Sequence, residues 1–202
     1  MTVAMIALVT SLYAACAGST RVIYVPSLVE VSLGDQHAII REGDADKPLV
    51  THSYSVQFGI KENRITLRLE NTQDTPLKIL WDDSVFVDLR RQSQRAMHWR
   101  VEQLDKRALQ VPTVIAPRTI LMDEIVPENN LRYTGNSWVA EPLISEQGGD
   151  AAGSEGRTFR LLLQVESKSG LTYDEFTFEI QDIVKVTKEA PGFTENMNNL
   201  FK

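Results

Sequence analysis

The sequence is poor in several features that would fix its stability or its environment at once. It contains one cysteine among 202 residues, so no disulfide can form within the chain. It also lacks an uninterrupted apolar run of about 20 residues, the length that a membrane-spanning helix requires. A chain of this length can bury roughly 70% of its unfolded surface, so a single hydrophobic core suffices for stability without a structural metal.

Concentrated positive charge and catalytic motifs are missing as well. The formal net charge is −6, with Arg and Lys scattered among acidic residues, whereas a nucleic-acid-binding protein shows a basic patch or stripe. No G-x-S-x-G motif occurs, and His37, His52 and His98 lack the spacing of metal ligands. We therefore expect no nucleic-acid partner, no metal or other cofactor, and no enzymatic activity beyond what a triad assembled by the fold could supply.

The single cysteine, Cys16, follows an apolar stretch over residues 3–12. That stretch has the length of a secretory signal segment, about 7–15 residues, although no Lys or Arg precedes it. The sequence LYAAC at 12–16 resembles the lipobox of bacterial lipoproteins. The resemblance implies that residues 1–15 are removed and that Cys16 carries the lipid, with 16–21 as a short tether.

The residue after the cysteine is Ala17, whereas lipoproteins kept at the inner membrane carry an aspartate there. The resemblance therefore implies a lipid-anchored protein on the periplasmic face of the outer membrane of a Gram-negative bacterium. Three other interpretations of the segment stay open. It could be an ordinary cleaved signal peptide, an uncleaved membrane anchor, or a buried first strand.

Apolar and polar residues alternate with a period of two through most of the remaining chain, as in NRITLRLEN, TFRLLLQVES and DEFTFEI. Such alternation is typical of strands with one face on a core and the other in water. Turn sequences such as NTQDTP and SKSG separate these runs. We therefore predict an all-β fold, an antiparallel β-sandwich over residues 22–188. Further strands are predicted at 22–33, 36–41, 50–59, 77–81, 84–89, 95–101, 111–115, 118–126 and 137–141.

The segment RLENTQDTPLKILWDDSVFVDLRRQSQRAMH resembles a strand–turn–strand pattern of Ig-like extracytoplasmic domains. The resemblance covers that segment alone and implies an Ig-like form of the sandwich, without implying any chemistry. SEQGGDAAGSEG at 145–156 predicts a loop between strands.

The tail over 189–202 is the one stretch with helical spacing. Its apolar residues fall at i, i+4, i+7 and i+8, which predicts a short amphipathic helix. The stripe is expected to dock on the chain's own sandwich or in a groove of a partner. It consists of Phe193, Met197, Leu200 and Phe201.

A group of arginines brackets the MHW stretch and is a candidate contact for lipid phosphates or an acidic partner. The alternative is a solvated hairpin end with its charges facing water. The group consists of Arg90, Arg91, Arg95 and Arg100.

The adjacent Asp82 and Asp83 could bind Ca²⁺ or act as acid and base. Because neighbouring strand residues face opposite ways, we expect a solvated turn instead.

The three tryptophans could stack on sugars, although large aromatic residues in a sandwich usually belong to the core. They are Trp81, Trp99 and Trp138.

Taken together, these features predict a non-catalytic binding or assembly module of the cell envelope, with a protein partner of unknown identity. A carrier for a lipid or small ligand and a hydrolase are the alternatives. An enclosed apolar cavity would favour the carrier, and convergent polar residues with perturbed pKa values would favour the hydrolase. An exposed apolar patch or a free edge strand would favour the adaptor.

Overall fold

The computed structural model describes residues 20–34, 36–40, 47–99, 108–144 and 153–187. Residues Ile23–Val184 form one compact unit; of a second unit, made of Met1–Val22 and Lys185–Lys202, only 20–22 and 185–187 are described. Several predicted features lie outside the described residues. They are Cys16, Arg100, most of the loop at 145–156, and the tail with Phe193, Met197, Leu200 and Phe201.

The described part of the chain is built almost entirely from β-strands. Two single-turn 3-10 helices, Trp81–Asp83 and Glu128–Asn130, interrupt them, and no helix in these ranges is long and apolar enough to cross a membrane. The strands are β1 (Thr20–Leu33), β2 (Gln36–Ile39), β3 (Leu49–Val50), β4 (Tyr54–Lys61), β5 (Arg64–Asn71), β6 (Leu77–Ile79), β7 (Val85–Val87), β8 (Ser93–His98), β9 (Thr113–Ile115), β10 (Ile120–Pro127), β11 (Leu131–Tyr133), β12 (Trp138–Ala140), β13 (Thr158–Ser167) and β14 (Gly170–Thr187).

Twelve of these strands form one continuous, bent sheet in the order β2-β1-β14-β13-β7-β8-β10-β5-β4-β3, and β6 links β13 to β9. The pairings with a defined register are antiparallel. The sheet changes layer within β8. Its first half pairs with β7 through Arg95, and its second half pairs with β10 from Ala96 onward.

The two halves of the bent sheet face each other across a common core. Phe58 of β4 lies against Phe176 of β14, with ring centroids 4.7 Å apart, and against Phe178 at 5.5 Å. The all-β antiparallel sandwich that the alternation predicted is therefore confirmed, while its Ig-like form stays a prediction. The alternating apolar residues of β5, β13 and β14 are buried as predicted. They are Ile65, Leu67, Leu69, Phe159, Leu161, Leu163, Val165, Phe176, Phe178 and Ile180.

A second, smaller cluster lies on the outer face of β8 and β10. Met97 pairs with Val126 across these strands, and both side chains are buried. Because successive strand residues point to opposite faces, they face away from the main core that Ala96 and Ile125 enter. The hairpin of β11 and β12 covers them. We call Met97, Val126, Leu131 and Ala140 the outer cluster, against which Trp99 and Trp138 pack.

Candidate functional site

A groove opens between the 3-10 helix at 81–83 and the segment that leads into β9. Its volume is about 390 Å³, and it is open to solvent on one side. We call it the Trp81 groove. Its lining residues are Leu80, Trp81, Asp82, Asp83, Leu109, Gln110, Val111 and Pro112.

The indole of Trp81 forms the fixed inner wall of this groove. It is fully buried, and its Nε1–H donates a hydrogen bond to Thr113 Oγ1 at 2.8 Å. On one side it stacks on the ring of His98, with centroids 5.0 Å apart and planes 10° from parallel. The expectation that Trp81 belongs to the core is thus met, and it is not free to stack on a sugar.

The opposite wall is held in place by Gln110, which is 7% exposed. Its backbone N–H donates to both carboxylate oxygens of Asp82, each at 3.1 Å. Its side chain bridges back to β8, accepting from the backbone N–H of His98 at 3.0 Å and donating to the carbonyl of Ala96 at 3.1 Å. Gln110 therefore anchors its segment to two separate elements at once.

The anchoring of Gln110 fixes where its neighbours point. Leu109 is 84% exposed and Val111 is 76% exposed, on either side of the buried glutamine. A single exposed aliphatic residue is ordinary on a protein surface. Here two of them frame a groove, and neither can turn inward without breaking the hydrogen bonds of Gln110. Val114, 61% exposed on β9, continues this apolar edge.

The two acidic residues at the groove differ in their surroundings. Arg95 Nη1 donates to Asp82 Oδ1 at 3.0 Å, so the charge of Asp82 is largely compensated. Asp83 is exposed and has no hydrogen bond or ion pair within the described ranges. Both lie in a 3-10 turn, and in the described part of the chain no group of three or more acidic, His or Cys side chains could hold a metal ion.

The arginines predicted as one group lie in different surroundings in the structure. Arg95 is half-buried and also contacts Glu128, at 3.3 Å, so it supports the groove from behind. Arg90 and Arg91 lie exposed in the turn between β7 and β8, where Asp88 Oδ1 accepts from the backbone N–H of Arg90 at 2.8 Å. Arg91 has a left-handed backbone, with φ 62°. Contact of Arg90 and Arg91 with an anionic partner stays a prediction.

His98 is the one histidine in the core, where its ring stacks on Trp81 and approaches the buried carboxylate of Asp123. Its Nδ1 lies 3.5 Å from Asp123 Oδ2, and both ring nitrogens lack a hydrogen-bond partner among the described residues. A serine or cysteine nucleophile needs a base within hydrogen-bond reach. Among the described residues, no serine or cysteine lies within hydrogen-bond reach of the His98 ring, whose contacts are the stacking against Trp81 and the approach to Asp123.

The other two tryptophans pack against the outer cluster. Trp99 and Trp138 are half-buried there, and the guanidinium of Arg64 lies 4.8 Å from the centre of the Trp99 ring. Tyr133 is 56% exposed near the hairpin tip and tilts against Trp138, with ring centroids 5.3 Å apart.

Sequence reasoning placed a strand at 111–115 but did not identify Leu109, Gln110 and Val111 as a functional set. The only local signal was an apolar–polar–apolar triplet before Pro112, and such a triplet does not show which side faces inward. No family profile, curated protein or solved structure was found to match this chain.

Proposed function

We propose that this protein is a non-catalytic binding module of the bacterial cell envelope, and that it binds a partner protein through the Trp81 groove. The single observation that carries the proposal is the anchoring of Gln110. It holds Leu109 and Val111 in solvent on either side of a groove that is walled by a buried tryptophan.

Rigid presentation of apolar side chains favours binding over other roles. An interface loses affinity when it must first order its own loops and side chains, and a fixed segment avoids that cost. Binding energy in interfaces concentrates in a few well-packed apolar and aromatic positions. Burying Leu109 and Val111 against a partner would remove apolar surface from water, a transfer that is favourable by about 25 cal/mol for each Å² before the costs of association are subtracted.

The alternative functions find less support in the described residues. Small-molecule sites are concave and bury most of their ligand within about 300–1,000 Å³. The Trp81 groove lies at the small end of that range and is open, which suits a side chain of a partner better than a lipid. A hydrolase would need a nucleophile near His98, and its ring nitrogens contact none in the described ranges.

The anchor is part of the same proposal and is supported by the lipobox-like sequence before Cys16. We propose that lipid on Cys16 holds the sandwich at the periplasmic face of the outer membrane. Replacing Cys16→Ala should abolish labelling with an alkyne fatty-acid analogue and leave the signal segment attached. Equal labelling of the variant and the wild type would contradict the anchor while leaving the groove untouched.

The groove is tested by a photo-crosslinking amino acid placed at Leu109 or Val111 of the full chain in intact cells. The matched control is the same group at Leu171, which is 52% exposed on β14. We expect one partner protein to crosslink from 109 and 111 and not from 171. The partner, once purified, should bind Leu109→Asp at least about tenfold more weakly than wild type, a loss of about 1.4 kcal/mol, and should bind Leu171→Asp normally. Equal crosslinking from all three positions would reject the proposal.

A further inference from the structure

The chemistry of the bound segment can be inferred from the charges at the Trp81 groove. Of the residues that the structure describes, Asp82 and Asp83 are the only charged ones that line it. Asp82 is compensated by Arg95 and by the backbone N–H of Gln110. Asp83 is exposed and has no such partner among the described residues. Within the described ranges, the groove therefore presents one uncompensated negative charge, Asp83, beside an apolar surface.

The neighbouring edge strand limits how a partner can attach. β9 has three residues and pairs with β6 alone within the described sheet. Strand addition requires a row of backbone donors and acceptors along the free edge. Pro112, directly before β9, has no N–H to donate, and proline is a common device for blocking edge pairing. A partner is therefore held mainly by its side chains.

Resting on the proposed function, we infer that the groove binds a short extended segment of a partner protein in which an apolar side chain lies next to a lysine or arginine. The apolar side chain would pack between Leu109 and Val111, over the accessible surface of Leu80 and Pro112 in the same groove. The adjacent cation would pair with Asp83. An acidic segment of the same shape would meet repulsion at that carboxylate, which makes the charge a source of selectivity.

The strength of the preference for a basic segment follows from the exposure of Asp83 to solvent. Solvent-exposed ion pairs contribute modestly, so we expect a preference of about fivefold for a basic over a neutral segment at low salt. The Debye length falls to about 3 Å at 1 M ionic strength, so most of this preference should vanish there. The apolar contact should persist at high salt.

The test uses three dye-labelled peptides, acetyl-GKLVLG-amide and its GQLVLG and GELVLG counterparts, with the full-length protein extracted from membranes. Fluorescence anisotropy should rank their affinities in the order Lys, Gln, Glu. Asp83→Asn should remove the ranking and keep the binding. The control Asp182→Asn changes an exposed acid of β14 and should leave the ranking intact.

The two proposals fail in different ways. If the three peptides bind wild type equally, or if Asp83→Asn leaves their ranking unchanged, the inference about charge is overturned, while crosslinking from Leu109 would still stand. If Leu109→Asp changes neither the crosslinked partner's affinity nor peptide binding, the proposed function itself is overturned. If the ranking of the three peptides is lost in Asp83→Asn and kept in Asp182→Asn, the result supports both the proposed function and the inference about charge.

Discussion

The main core and the outer cluster share two strands but differ in how they are covered. Ala96 and Ile125 enter the main core, which a second layer of the bent sheet closes. Their direct neighbours Met97 and Val126 enter the outer cluster, which a single short hairpin closes. The comparison shows that one strand can bury both faces when a later segment folds back over it. A strand's own alternation does not reveal this.

The two regions also differ in polarity. The main core contains a polar bridge between its layers, in which the hydroxyl of Tyr54 donates to Asp174. Burial raises the pKa of the Asp174 carboxyl above its usual range, although hydrogen bonds from Tyr54 and Thr172 oppose the shift. Burial and the neighbouring Asp174 raise the pKa of Tyr54 as well. The outer cluster contains only apolar residues.

The largest effect is expected for a charge placed in the main core. Leu67 is fully buried on β5, so Leu67→Asp would bury a carboxylate without a partner. We expect a loss of more than about 4 kcal/mol, enough to unfold the domain. Loss of the β-strand signal in circular dichroism would show that the domain has unfolded. The control Arg68→Ser, on the solvent face of the same strand, should fold normally, and similar behaviour of the two variants would refute the face assignment.

A smaller and more local effect is expected in the outer cluster. Met97→Ala leaves a cavity beneath the hairpin and should cost about 2–3 kcal/mol, at the low end for such truncations because a single hairpin can settle into the space. Amide exchange should quicken over 131–140 while 64–71 stays protected. Uniform acceleration of exchange across both ranges would mean that the outer cluster and the main core open together.

The smallest effect is a pH dependence confined to the main core. Because the pKa of Asp174 is raised by burial, the folded state binds more protons than the unfolded state above the ordinary aspartate pKa. The contribution of this group to stability is therefore greatest at low pH and falls as pH rises through the raised pKa. Urea unfolding at a series of pH values should show this fall in wild type. Asp174→Asn should flatten it, whereas Met97→Ala should keep it.

The strand pattern was largely predictable because alternation is a local property. The predicted strands at 77–81, 84–89 and 118–126 overlap β6, β7 and β10. The strand at 131–133 was not predicted, since LRY is too short to show a period. Gln164 occupies a position that alternation assigns to solvent, yet it is only 3% exposed. Its backbone N–H bonds to Ser84 Oγ, a contact between residues far apart in sequence.

The candidate site was much less predictable than the fold. Arg95 was one of four candidate contacts for an external anion, with a solvated hairpin end as the alternative, and in the structure it pairs with Asp82 and Glu128. Asp82 accepts from the backbone of Gln110, which lies 28 residues away. None of these pairings leaves a periodic trace in the sequence, because each depends on which strands become neighbours.

By itself, the sequence determined the all-β fold, the inward faces of β5, β13 and β14, and the position of a lone cysteine that predicts an anchor. These features follow from residue spacing along one segment, where a period of two dictates which side chains share a face. Only the tertiary structure decided that Gln110 turns inward and leaves Leu109 and Val111 in solvent. That choice depends on hydrogen bonds to Asp82, Ala96 and His98, which the folded sheet alone brings within reach.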